Sequence, residues 1–195
     1  MLKVSLLTGA ALLALVSNAA AIVVIPESYS YSVAPSGSYP DTGGTELTDG
    51  VDITLAWGNG INMSGQTAPL VGWLNTDSSI TFSFAEPQVF YSVTAFFADS
   101  DNAAGVGMPS TVTISDGADF SQTFNVTNPS GSGSTVATTF SGFYVLSDTL
   151  SVSFTRNSQW TMLSEVSFAA IPEPSTYAMG AGVAVLGLAF WRRRK

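Results

Sequence analysis

Alternation of apolar and polar residues with a period of two runs through most of this 195-residue chain, and no window of useful length carries a helical period. In "VDITLAW" the apolar face is Val51, Ile53, Leu55 and Trp57, and in "SITFSF" it is Ile80, Phe82 and Phe84. "VFYSVTAFFA" reads as a strand with Val89, Tyr91, Val93, Ala95 and Phe97 on one side. "STVTIS", "FSQTFNV" and "TLSVSF" continue the pattern, and "EVSFA" closes it with Val166 and Phe168. Clusters of Gly, Asn, Asp, Ser and Pro separate the runs, as at "DSDNAAGVGMPS" and "TNPSGSGS". Strands with one apolar face must bury it against a second layer, so seven or eight of them predict an all-β sandwich. "PSGSGSTVATT" is the one stretch near low complexity and reads as a long surface loop.

Charge and composition narrow the chemistry. All fourteen carboxylates lie between Ile22 and Pro174, where Arg156 is the only cation, giving that stretch a net charge of −13. Such a body repels phosphate backbones, which argues against nucleic acid as a partner. There is no cysteine and no histidine, so disulfides, thiolate metal sites and the commonest general base are all missing. Asp99 and Asp101 in "ADSDN" could pair for glycoside hydrolysis, but the segment reads as a turn with solvated carboxylates. The expectation is a domain without enzymatic activity. Asp77 reads as an ordinary surface carboxylate.

Both ends read as targeting segments. Residues 1–21 combine Lys3, an apolar run from Val4 to Val16 and the small residues Ala19, Ala20 and Ala21, the pattern of a signal peptide cut by signal peptidase after Ala21. From Ser175 to Trp191 no residue is charged, and four cations follow. Seventeen residues are at the short end of what spans a bilayer as a helix. Trp191 suits the interface, and the cations would stay on the cytoplasmic side. Prolines at 172 and 174 lack the N–H that helix and sheet need, which leaves an extended segment before the apolar run. The expected division is a signal peptide at 1–21, a β-sandwich at 22–170 and a sorting segment at 171–195, with a transmembrane helix at 175–191 and a basic tail at 192–195.

The order Pro172, Glu173, Pro174, apolar run, then Arg192, Arg193 and Arg194 resembles the PEP-CTERM sorting signal. That resemblance implies recognition and processing by an exosortase, with transient or permanent membrane anchoring. The mature form is then expected at the cell surface or outside the cell.

The body resembles the discoidin, or coagulation-factor type C, family of galactose-binding-like jelly rolls. The matching stretches are residues 47–50, Trp73, 80–84, 109–117 and 160–168. The absence of histidine and the scarcity of cations depart from that family's carbohydrate binders. The resemblance implies a calcium ion held between the opening loop and the closing strand, at Asp49 and Glu165, with Asp41 as a further ligand. "DTGGTELTDG" offers the hard oxygens calcium takes. Equally, Asp49 would make an Asx-turn before Gly50, and Glu165 would be a solvated strand residue. For a carbohydrate site the available parts are Arg156, Asn157 and Trp73, with Trp57, Tyr39 and Phe143 as further aromatic surfaces. Against that, Arg156 would be paired with a carboxylate and the tryptophans would be core. Two functions are therefore open. One is a structural or adhesive protein of the cell surface or extracellular matrix, and the other is a module that binds extracellular polysaccharide.

Overall fold

The computed structural model describes residues 21–51, 70–101, 103–129 and 134–171. The expected signal and anchor helices, the sorting motif at Pro172–Glu173–Pro174 and Trp57 lie outside them. Eight strands are present: β1 Ile22–Val24, β2 Ser28–Tyr31, β3 Val71–Leu74, β4 Ser78–Ala98, β5 Thr111–Ser115, β6 Ser121–Asn125, β7 Thr135–Thr155 and β8 Trp160–Ile171. The described residues are all-β apart from one 3-10 turn at Ala103–Gly105.

Two 21-residue strands, β4 and β7, organise everything else. They pair antiparallel along almost their whole length, with register breaks between Ser83 and Gln88 and between Phe90 and Ser92. Each therefore serves two layers. The first half of β4 and the second half of β7 join β2, β5 and β6. The second half of β4 and the first half of β7 join β8, whose far edge is covered by β3 and β1.

Rings meeting across the layers show where the core sits. Phe82 on the first half of β4 packs on Phe168 of β8 with ring centroids 4.8 Å apart. Phe84 reaches both Phe90 and Phe168. Trp73 of β3 meets Phe154 of β7 edge to face at 5.1 Å. Such pairs add about 0.5–1.5 kcal/mol each beyond the area they bury.

The alternation in β4 changes phase, which the sequence pattern does not show. The irregularity between Phe90 and Ser92 turns Phe90 inward with Val93, Ala95 and Phe97, all fully buried. Val89 and Tyr91, expected on the core face, are only partly buried. A bulge adds one residue to a strand and so swaps the faces on either side of it. The loop expected at 129–139 is also shorter, because Thr135–Thr139 already belong to β7.

Candidate functional site

One end of the sandwich gathers the loops before β4, after β4 and between β7 and β8. These loops interlock through their backbones. Asn75 N–H donates to the Gln159 carbonyl at 2.8 Å, and Gly107 N–H donates to the Trp160 carbonyl. Ser158 Oγ donates to the Gly105 carbonyl at 2.7 Å. The three non-glycine residues with positive φ among the described residues, Asn75, Asp101 and Ala104, all lie in these loops. Asn and Asp tolerate that conformation, whereas for alanine it costs about 1–2 kcal/mol. Held strain of this kind clusters where a loop is shaped for contact.

Arg156 and Asn157 are both exposed on the 156–159 loop. Asp77 Oδ1 accepts the Arg156 backbone N–H at 2.9 Å and lies 3.9 Å from its Nε. The guanidinium keeps donors free because the pair is loose and 42% exposed on the arginine side. Asp77 is thus not an ordinary surface carboxylate but the residue that holds this loop. Beside the loop, Trp160 carries the ring of Tyr39 edge to face at 5.2 Å, and both are partly exposed. Gly72 permits this, since a Cβ there would come within 3.0 Å of Tyr39 Cβ and 3.2 Å of Met162 Cγ.

Other expected positions take different roles. Trp73 is 1% exposed, donates from Nε1 to the Val33 carbonyl at 2.9 Å, and has Tyr31 and Phe154 against its ring. It is a core residue and has no face left for a sugar. Phe143 is likewise buried, against Phe120. Asp99, expected to be solvated, is fully buried and accepts the Asp101 N–H at 3.0 Å. With the Asn128 amide turned so that its nitrogen faces Asp99, the other carboxylate oxygen accepts from it at 2.8 Å. It ties two loops together. The sequence marks Trp160 as part of the 160–168 fold landmark but not as a contact residue, although its place four residues after Arg156 at a strand start is a usable signal.

The second locus is the loop at 41–51 against β8. The Glu165 carboxylate, 8% exposed, accepts the Gly50 N–H at 3.1 Å, and the Leu47 carbonyl accepts the Val166 N–H at 2.8 Å. Asp49 Oδ1 accepts the Val51 N–H at 2.8 Å, the Asx-turn that the sequence allowed. Asp41 accepts the Tyr31 hydroxyl and, at 3.4 Å, the Glu46 N–H. Burial, and then Asp41 as acceptor, pushes the Tyr31 phenol well above its ordinary range. Glu46, which sequence reasoning missed, has Oε2 buried with no partner. Burial raises its pKa, and the charges of Asp41 and Asp49 raise it further. Among the described residues no three carboxylates converge closely enough to hold a metal on side chains alone. The unpaired oxygen and the mutual repulsion are nonetheless what a hard cation would relieve, with main-chain oxygens completing its shell.

Comparison with known proteins places both targeting and fold. Residues 170–195 match the PEP-CTERM protein-sorting motif, which marks an exported protein of the cell surface or exterior. No curated protein matches the chain. Among solved structures, the chain is similar to the β-galactosidase BgaA of Streptococcus pneumoniae, with TM-score 0.52 and 14% identity over 77% of this chain and 98% of that one. It is also similar to the lectin binding domain of Lectinolysin complexed with Lewis b, with TM-score 0.50 and 13% identity over 74% and 93%. The CBM32 of AlyQ aligns over 75% of this chain and 97% of its own, with TM-score 0.45 and 14% identity. Of a truncated AlyQ with CBM32 and alginate lyase domains the chain spans 35%. The likeness is one of fold alone, a β-sandwich.

Proposed function

We propose that this is an exported surface or matrix protein whose sandwich binds extracellular polysaccharide without cutting it. Of the two functions left open by the sequence, this is the one the loops favour. The carrying observation is the partly buried Tyr39–Trp160 pair, packed on the core but still reached by solvent, beside exposed Arg156 and Asn157 at one end of the fold. An aromatic face covers the apolar side of a sugar ring, while guanidinium and amide donors take its hydroxyls. The lectin binding domain among the fold neighbours lends the reading support. Asp99 ties loops together as acceptor of the Asp101 N–H, a structural use that fits a non-catalytic reading.

In the same proposal, signal peptidase cuts after Ala21, residues 175–191 hold the precursor in the membrane, and an exosortase acts at Pro172–Glu173–Pro174. Calcium would sit in the 41–51 loop on main-chain oxygens, with at most two carboxylates drawn from Glu165, Asp49, Asp41 and Glu46, since no three of them converge. It would supply charge neutralisation that ties this loop to β8. The body would then meet anionic polymer through that ion, because its own charge is repulsive.

The test is affinity electrophoresis of the purified sandwich through gels cast with neutral and acidic polysaccharides. Retardation that Trp160→Ala and Arg156→Ala each abolish supports the reading. Free migration through every polysaccharide would leave only the structural role. Intact mass of the surface form reports processing, and a form retaining Arg192 to Lys195 would remove the exosortase step.

A further inference from the structure

The outward face of the β8 layer carries an apolar patch at the corner where the chain leaves the domain. Ile171 of β8, Val89 of β4 and Leu146 of β7 form one register row across three strands. Two residues along, on the same face, lie Tyr144 and the Val23–Ala169 pair. Val23, Tyr144 and Leu146 are 75%, 74% and 63% exposed, and Ile25 just beyond β1 is 74% exposed. Scattered exposed hydrophobes need no explanation, but a contiguous patch marks an interaction surface.

What lies against it follows from chain continuity. The uncharged run 175–191 begins four residues after Ile171. Four residues span at most about 14 Å, so an apolar run in the bilayer brings this corner to the lipid surface. The patch itself holds no charged side chain, and Glu27, Glu86 and Asp148 adjoin its strands. Arg156, the one cation among the described residues, belongs to the 156–159 loop at the opposite end of β8. The chemistry therefore suits a net-neutral lipid interface and not an acidic one.

From this we infer that the Val23–Tyr144–Leu146 patch rests on the outer membrane-water interface while the precursor is anchored, an inference that depends on the anchoring reading above. Docking turns the sandwich end-on, with its interlocked loops directed away from the bilayer. It also fixes Pro172, Glu173 and Pro174 at the interface, where a membrane-embedded processing enzyme works. Once the tail is removed the patch alone holds weakly, and the body is freed.

The chain has no cysteine, so single thiols introduced by Leu146→Cys, Val23→Cys, Asn157→Cys and Leu188→Cys can each carry an NBD fluorophore. The full chain is placed in phosphatidylcholine vesicles with and without nitroxide-labelled lipid. Faces that lie in the interface are buried about 5–10 Å, enough for about twofold quenching at 146 and 23. Position 157 should be unaffected, and replacing half the lipid with phosphatidylglycerol should weaken quenching at 146. Quenching at 188 without quenching at 146 overturns this inference and leaves the anchor intact. No quenching at 188 overturns the anchoring reading and, with it, docking of an anchored precursor, whatever is seen at 146. A label at 146 shielded from lipid but buried in a dimer, seen by light scattering, would assign the patch to a second copy and overturn the inference.

Discussion

Glu165 and Gly50 are 115 residues apart in sequence, yet the Glu165 carboxylate accepts the Gly50 N–H at 3.1 Å. Through this bond the last strand holds the loop at 41–51. Hydrogen bonds to charged groups contribute about 1.5–3 kcal/mol, and stranding a donor costs a similar amount. Glu165→Ala should lower the thermal midpoint by several degrees, whereas Glu165→Gln, which keeps an acceptor, should lower it less. Equal losses in thermal unfolding would mean that the carboxylate's charge, and not its acceptor geometry, does the holding.

Calcium should raise the midpoint of the wild type over that in chelator, with magnesium doing much less because it demands a tighter octahedron. One or two of Asp49→Asn, Glu165→Gln and Glu46→Gln should remove most of that rise. Asp119→Asn is the appropriate control, since Asp77 holds the 156–159 loop. A midpoint indifferent to calcium in the wild type would dispose of the ion.

The raised pKa of Glu46 has a definite sign. Its folded value lies above the ordinary 4.5, so the folded state prefers it protonated. Ionisation therefore costs stability as pH rises through the folded pKa, and stability returns as pH falls below it. In chelator, the wild-type midpoint should fall relative to Glu46→Gln as pH rises above the ordinary 4.5. Parallel midpoint–pH curves for the two proteins would exclude a strained Glu46.

Trp73 and Trp160 should separate cleanly. Truncating a buried tryptophan costs about 3–5 kcal/mol, so Trp73→Ala should unfold the domain or nearly so. Trp160→Ala, partly exposed, should leave circular dichroism native and weaken polysaccharide retardation. If Trp160→Ala binds as well as wild type while folded, the aromatic pair is packing and nothing more.

Asp77→Ala should loosen the Arg156 loop and weaken binding at little cost in stability, because exposed pairs are worth about 0–1 kcal/mol. Asp77→Asn keeps an oxygen for the Arg156 N–H and should retain most of the binding. Loss of binding in Asp77→Asn equal to that in Asp77→Ala would show that charge, not loop shape, is what Asp77 supplies.

How far the sequence could be read depended on the range of the forces involved. Period-two alternation located the inward faces of Ile80, Phe82 and Phe84 and of Val166 and Phe168, because burial on one side of a strand is a local constraint. The phase change at Phe90 was not legible. A bulge is fixed by what β7 and β8 offer across the sheet, and no residue near Tyr91 announces it. Trp73 could not be told from Trp160 for the same reason, since both stand in strands and only the layers around them decide which ring stays accessible. Asp99 followed ordinary turn chemistry in sequence, and its burial comes from loops that close over it.

Strand β8 runs from Trp160, at the candidate contact end, to Ile171, where the chain departs. A pull between a bound polymer and the tether would thus act along the axis of a single strand. Its hydrogen bonds to β4 on one side, and to β3 and β1 on the other, would bear that load together in shear instead of opening one after another. On the proposed reading, a grip at one end and a tether at the other would make this layer the mechanically stiff path through the molecule.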